Sequence, residues 1–149
     1  MVLWRTSNRT TLDGRGGLVA SARWHTQGRP IVYLAESPAG ALTEILVHLE
    51  LKPDELPRSY KLLKVEVPGD LAVARLGLTE LSRRWKSKLT ITRTIGDEWL
   101  ASRKTALLRV PSAIVPETFN VLLNPEHRDA RRIKVLSHQR YPWDERLFK

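Results

Sequence analysis

Arg23, Tyr33, Glu44 and His48 punctuate a stretch of otherwise apolar and small residues, GGLVASARWHTQGRPIVYLAESPAGALTEILVHLE, running from Gly16 to Glu50. These side chains can clamp an anion, stack on a flat ring, stabilise a cation and move a proton. Glu44 and His48 lie four residues apart, so on a helix they share a face. They would suit an acid–base pair or two ligands of a metal ion. The spacing is E-x-x-x-H rather than the zinc-protease H-E-x-x-H, and the chain has only four histidines. A histidine packed or hydrogen-bonded at a helix surface fits better than a ligand.

The other candidates each carry a plain and a functional reading. At about 100° per residue, Glu44 falls nearly opposite the stripe of Leu42, Ile45, Leu46 and Leu49, which predicts an exposed carboxylate. Yet Ala41, Val47 and Leu51 flank it, and a helix apolar most of the way round suits a cleft wall. Tyr33 lies inside an apolar run, as a core residue with a satisfied hydroxyl or as an aromatic platform. Arg23 precedes Trp24, as a surface cation over an indole or as a bidentate phosphate clamp. Ser112 follows a proline at a strand end, as a turn cap or as a hydrogen-bonding group beside a substrate. It lacks the G-x-S-x-G elbow of a serine nucleophile. Asn124-Pro125 is turn chemistry, with an amide that could reach a ligand. The glycines from Gly14 to Gly17 match neither G-x-G-x-x-G nor a Walker loop.

The elements that must position these groups follow from pattern. Val2 to Arg5 reads as a short strand, and Thr11 to Gly17 as a loop. Ile31 to Ala35 is a buried strand. Ser37-Pro38 opens a helix, with serine as N-cap and proline at the first helical position, running to about Leu51 before Pro53. Tyr60 to Val67 is a strand closed by Pro68-Gly69. Leu78 to Lys88 is weakly helical. Gly96 to Lys104 is a short helix with Asp97 and Glu98 in its first turn. Ala106 to Val110, Asn120 to Leu123 and Ile133 to Leu136 are strands. There is no regular βαβ alternation, so the class is α+β, with an antiparallel or mixed sheet flanked by helices.

Length and composition bound the rest. The chain of 149 residues suits a single domain spanning 1–149, and 42% hydrophobic residues can build a core. No apolar run approaches the roughly 20 residues of a membrane span. The opening MVLWRTSNRT lacks a secretory apolar block. Cysteine is absent, which excludes disulfides and thiolate metal sites and fits a cytoplasmic location. A net charge of +9 favours anionic partners: nucleic acid, a phosphate-bearing small molecule or an acidic protein. Basic residues cluster at 83–88 and at 128–134, where a solvated face is the plain reading.

W-R-T, G-G-L-x-x-x-x-R-W, I-V-Y-L-A-E-S, A-L-x-E-x-L-V-H-L, G-D-E-W, L-L-R-V-P-S, N-x-L-L-N-P-x-H and D-x-R-L occur in this order. Together they resemble the RES-domain family, toxins of bacterial toxin–antitoxin pairs, over almost the whole chain. The C-terminal motif reads D-E-R-L at Asp144 to Leu147 where the family has D-P-R-L.

The resemblance implies an ADP-ribosyltransferase-like fold and an enzyme that consumes NAD as a substrate, with no bound cofactor and no metal. It would do so by glycohydrolysis, phosphorolysis or ADP-ribosyl transfer, and so arrest growth. It implies an Xre-type antitoxin that blocks the active cleft in a hetero-oligomer, DNA contact only through that antitoxin, and no membrane. Carried over by motif, the family's arginine, tyrosine, glutamate and serine fall on Arg23, Tyr33, Glu44 and Ser112 as catalytic residues. Arg5 and Asn124 take dinucleotide-binding positions. Two other classes fit the residues: an RNA-cleaving toxin, from the basic charge and five tryptophans, and a non-catalytic basic binding module.

Overall fold

The computed structural model describes residues 1–49 and 58–148. Its framework is a seven-stranded sheet in the spatial order β4-β5-β6-β2-β1-β3-β7. The strands are β1 (Val2–Ser7), β2 (Val32–Ala35), β3 (Lys61–Glu66), β4 (Val73–Arg75), β5 (Leu107–Pro111), β6 (Phe119–Leu123) and β7 (Lys134–Arg140). Neighbours are antiparallel except β4 and β5, which run parallel. With α1 (Arg15–Val19), α2 (Pro38–Leu49) and α3 (Leu89–Ser102), this is the α+β class with a mixed sheet that the sequence predicts.

The central strands read as near-continuous apolar runs because both faces of the sheet are covered. Leu3, Leu34, Leu63, Val65, Leu107, Val121 and Leu123 build one core. Leu108, Val110 and Leu122 build another with Trp24, Trp85, Trp99 and Leu100. Side chains alternate along a strand, so these sets occupy opposite faces. Trp4 pairs with Ala35, and Ala35 with Asn120, across β1, β2 and β6. This row lies on the tryptophan-rich face, and the same alternation puts Thr6 and Tyr33 there. Asn120 is therefore a buried polar side chain on an apolar face, 8% exposed.

α2 starts as its sequence predicts. Ser37 Oγ accepts the Gly40 N–H at 2.9 Å, and Pro38 occupies the first turn. The predicted end near Leu51 lies outside the described residues.

Tertiary packing overrides local pattern elsewhere. α3 begins at Leu89 rather than at Gly96, so Asp97 and Glu98 sit well past its first turn. Its opening, LTITRTI, is rich in β-branched residues of modest helix propensity. Ile91 and Ile95 nevertheless pack on the tryptophan core, and the Thr92 hydroxyl donates to the Arg23 carbonyl. The predicted helix from Leu78 to Lys88 is instead a short 3-10 turn, Leu78–Glu80, followed by irregular turns. Trp85 in its middle is buried beside Trp24, with ring centroids 6.2 Å apart, and this holds the segment as a loop. Part of the predicted loop at 11–17 forms α1. β4 is three residues long, too short for its pattern to be seen. β7 continues to Arg140 through exposed polar residues that carry no apolar alternation. Among the described residues no helix is long and apolar enough to cross a membrane.

One glycine sets how closely α3 approaches the sheet. A Cβ built on Gly96 would overlap the Trp24 carbonyl oxygen, which belongs to backbone and cannot swing aside. Overpacking of this kind typically costs about 1–3 kcal/mol. Gly96→Ala is expected to lower the urea unfolding midpoint by at least that equivalent, and an unchanged midpoint would show that the helix and the loop are not held in this contact.

Candidate active site

A cavity of about 380 Å³ opens on the tryptophan-rich face. Trp4, Thr6, Tyr33, Ala35 and Asn120 supply its floor from the strands. Ala41, Glu44 and Ile45 supply one wall from α2, and Ser21 to Trp24 supply another. Arg5 and Ile114 also border it. Segments far apart in the chain converge here because the register row Trp4–Ala35–Asn120 brings three strands together beneath α2.

Glu44 is held by two donors. Ser112 Oγ donates to Glu44 Oε1 at 2.6 Å, and Asn120 Nδ2 donates to the same oxygen at 2.9 Å. Ser112 Oγ in turn accepts the N–H groups of Ile114 and Val115 at 3.1 and 3.3 Å. The serine is thus both a turn cap and a partner of the carboxylate. Glu44 Oε2 takes no hydrogen bond among the described residues. The carboxylate also borders a smaller cavity of about 160 Å³, shared with Ser37, Gly40, Thr43 and Ser112, so it stands as a partition between two spaces.

Arg23 is positioned through its neighbours. Its Nη1 donates to the carbonyls of Trp85 and Lys86 at 3.2 and 2.8 Å. Arg93 Nε donates to the Ala22 carbonyl at 2.8 Å. Asp97 accepts the Thr26 N–H at 2.9 Å and the Thr26 hydroxyl at 2.6 Å. These contacts tie the loop around Arg23 onto α3, which makes the G-D-E-W motif a scaffold for the arginine. Burial pushes the Arg23 pKa down, and the charge of Glu44 pushes it back up. No ion pair joins the two among the described residues. Opposite charges therefore face one cavity without closing it.

Tyr33 has the satisfied hydroxyl of the plain reading, and its residue borders the cavity. His25 Nε2 lies 2.9 Å from the Ala20 carbonyl, which accepts only, so that nitrogen carries the proton. His25 Nδ1 then accepts the Tyr33 O–H at 2.8 Å, and the Tyr33 oxygen accepts the Trp24 N–H at 3.1 Å. Burial raises the phenol pKa far above its ordinary value. Tyr33 is thus a wall of the cavity with its hydroxyl committed to His25.

Arg5 borders the cavity, but on β1 it alternates with Trp4 and Thr6, so its side chain lies on the opposite face of the sheet, where Nη1 donates to the Thr11 carbonyl at 3.1 Å and the dinucleotide-binding role carried over by motif is not met. Burial pushes its pKa down, and Asp13 opposes that. Asn124 does not line the cavity. Its Oδ1 accepts the Glu126 N–H at 3.0 Å, which is turn chemistry, and its Nδ2 donates to the Leu100 carbonyl at 3.1 Å, which ties that turn to α3. The side chain of His48 lies outside the described set. Among the described residues no group of three or more histidine, aspartate or glutamate side chains is placed to hold a metal. Sequence reasoning gave no role to Thr6, His25, Arg93 or Asn120. For His25 and Asn120 a signal existed: one follows Arg23-Trp24 directly, the other opens N-x-L-L-N-P.

A sequence profile described as the RES domain matches residues 2–144. The chain belongs to the RES domain family. It is 45% identical to a "Toxin Res" of Pseudomonas putida, over 99% of this chain and 100% of the relative. It is 37% identical to a "Prs ADP-ribosylating toxin" of a Sphingobium species, over 97% of this chain and 91% of the relative. The fold is similar to that of a chain in the crystal structure of the M. tuberculosis MbcT–MbcA toxin–antitoxin complex. There the TM-score is 0.76 at 16% identity, covering 99% of this chain and 86% of that one. This RES domain is accordingly a toxin by kinship, and Arg23, Tyr33, Glu44 and Ser112, carried over by motif, gather at or beside one cavity.

The His25 relay has a pH signature. Burial lowers the His25 pKa below its ordinary value of about 6.5. The unfolded chain therefore takes up this proton first as pH falls, so the contribution is intact above about pH 6.5 and declines below it. Unfolding midpoints measured from pH 7.5 down to about 5.5 are expected to fall in the parent and to fall less in His25→Gln. Parallel profiles for the two proteins would remove His25 from this role.

Proposed function

We propose that this RES-domain chain is the toxin of a bacterial toxin–antitoxin pair and degrades NAD by cleaving the nicotinamide–ribose bond. The observation that carries the reading is the fixed carboxylate of Glu44 at a cavity that is also lined by the aromatic ring of Tyr33 and by Arg23. At about 380 Å³ the cavity falls in the lower part of the usual range for small-molecule sites. It suits the nicotinamide ribose half of the dinucleotide, with the remainder extending out past Arg23.

The chemistry follows from the bond. As C1′–N cleaves, its electron pair leaves with nicotinamide and positive charge builds on the ribose, as in glycoside hydrolysis. Nicotinamide is a good leaving group without prior protonation. A general acid is therefore dispensable, which agrees with a Tyr33 hydroxyl already committed to His25. Glu44 Oε2, free while Oε1 is held by Ser112 and Asn120, hydrogen-bonds the ribose and stabilises the developing cation. Arg23 holds the pyrophosphate or the adjoining ribose, and Tyr33 packs on the nicotinamide ring. An oxygen nucleophile then attacks C1′. Water, inorganic phosphate and a protein side chain all balance the step, giving ADP-ribose, its 1″-phosphate or a modified protein. The name of the Sphingobium relative supports the last of these. An antitoxin of the Xre type would act by closing the same cavity in a hetero-oligomer, and the reaction would draw on the cytoplasmic NAD pool.

Losing one preorganised electrostatic contact commonly costs about a hundredfold or more in rate. Glu44→Ala is expected to lower NAD turnover by at least that factor while the protein still folds, with a modest loss of thermal stability because Ser112 and Asn120 lose their acceptor. The assay follows nicotinamide release by the purified chain, with and without phosphate and with product identification. Parent-level turnover in Glu44→Ala would sink the role of the carboxylate. RNA cleavage by the parent without NAD loss would favour a nuclease.

A further inference from the structure

Between Glu80 and Asp97 the chain carries five basic residues and no acidic one. Four of them, Arg83, Arg84, Lys86 and Lys88, stand exposed on the irregular segment before α3. Charge is compensated differently elsewhere. Arg15, Arg29, Arg103, Arg109, Arg132 and Arg146 each have a carboxylate oxygen at 3.3 Å or less. Among the described residues none of the four does, and neither does Arg23. The segment is also fixed in place. Its Trp85 is buried against Trp24, and the Trp85 and Lys86 carbonyls accept the Arg23 guanidinium at 3.2 and 2.8 Å. Arg23 lines the cavity, so the uncompensated cations begin at the cavity's edge. Arg93, the fifth, reaches the same loop through the Ala22 carbonyl. Burial and then Glu44 act most on the Arg23 pKa, and the charge of Arg93 pushes it further down. Cations of one sign gathered at a cleft raise the local concentration of anions. The second basic cluster is placed otherwise: its Ala130 and Ile133 pack on the opposite core, and its Arg132 is paired with Asp70.

We infer that the segment from Arg83 to Lys88 is an anion subsite that continues the cavity past Arg23 and favours a dinucleotide with an extra phosphate on its adenosine ribose. This inference rests on the proposed reading of the cavity as the nicotinamide ribose site. With nicotinamide at Tyr33 and the pyrophosphate at Arg23, the adenosine half lies outside the cavity, beside the segment whose backbone holds Arg23. NAD carries its negative charge on the pyrophosphate alone, which leaves the four exposed cations without a counter-charge. A phosphate monoester on the adenosine ribose brings about two further negative charges near neutral pH. That phosphate is remote from the C1′–N bond, so its contacts are the same before and during cleavage. Such uniform binding lowers KM and leaves kcat unchanged. Exposed ion pairs each contribute little, so the preference is expected to be several-fold rather than absolute.

The probes are NAD and NADP, whose adenosine ribose carries a 2′-phosphate, and the assay is nicotinamide release. The proteins are the parent, a variant combining Arg83→Gln, Arg84→Gln and Lys86→Gln, and a control combining Arg128→Gln, Arg131→Gln and Lys134→Gln. All six side chains are exposed, and thermal unfolding checks that each variant folds. The two variants lose the same charge on opposite faces of the sheet, so the control reports the effect of net charge alone. The parent should use NADP with a several-fold higher kcat/KM than NAD, through KM and at similar kcat. Raising salt from roughly 50 to 500 mM, which shortens the screening length severalfold, should shrink that ratio. The 83–86 variant should bring the ratio close to one, and the control should keep it. If the parent uses NADP no better than NAD, if the 83–86 variant keeps the preference, or if the control loses it equally, the subsite is overturned while the role of Glu44 stands. If the parent releases nicotinamide from neither probe, both this inference and the reading beneath it fail.

Discussion

The site depends on one carboxylate oxygen with two donors. Glu44 Oε1 receives Ser112 from the end of β5 and Asn120 from β6, while Glu44 itself comes from α2. A glutamate has three rotatable bonds and would otherwise sample many positions over an open cavity. Two hydrogen bonds to one oxygen restrict the carboxylate and leave the other oxygen without a hydrogen-bond partner among the described residues. The carboxylate is thereby preorganised before any ligand arrives, which is where electrostatic stabilisation gains most. The same bonds dock α2 on the sheet, so fold and site share one contact.

The arginine side is built differently. Arg23 sits on an irregular loop, and loops position side chains poorly unless something rigid holds them. Here α3 does so. Gly96 admits the Trp24 backbone, Thr92 and Arg93 take the carbonyls of Arg23 and Ala22, and Asp97 takes Thr26. Tyr33 and His25 secure the same loop from the sheet through one relay of hydrogen bonds. A helix and a strand thus grip opposite sides of one short segment.

Much of this was legible in the sequence, for identifiable reasons. The buried strands announced themselves because apolar runs and β-branched residues point the same way. The start of α2 was readable because Ser37-Pro38 is local chemistry. The start of α3 was not, because its helicity comes from Ile91, Ile95 and Thr92 packing against residues distant in the chain. The 78–88 segment misled because burial of a single tryptophan, Trp85, decides its path. In the site, motif resemblance picked out Glu44, Arg23, Tyr33 and Ser112, and all four fall at or beside the cavity. Periodicity alone would have left Glu44 on a solvated face. It could not register that β5 and β6 bring donors to that face. Asn120 escaped notice because an asparagine opening an apolar strand looks like a strand boundary. Only its pairing with Ala35 shows that it stands on the cavity floor.

The charge of the chain has a local meaning as well as a global one. Arg23 spends Nη1 on the backbone of the loop that carries Arg83, Arg84, Lys86 and Lys88, all exposed. Its Nε and Nη2 make no hydrogen bond among the described residues. Positive charge is therefore concentrated on the arginine side of the cavity, and Glu44 stands on the other. The proposed substrate has the complementary pattern. Its pyrophosphate is anionic, while its nicotinamide ring carries a positive charge that passes to the ribose as the bond breaks. A dinucleotide entering in reverse would set pyrophosphate against Glu44 and the nicotinamide cation against Arg23, both repulsive. Under the proposed function, the two charges that would hold the substrate would also select which end of it reaches the carboxylate, so orientation and catalysis would arise from one arrangement.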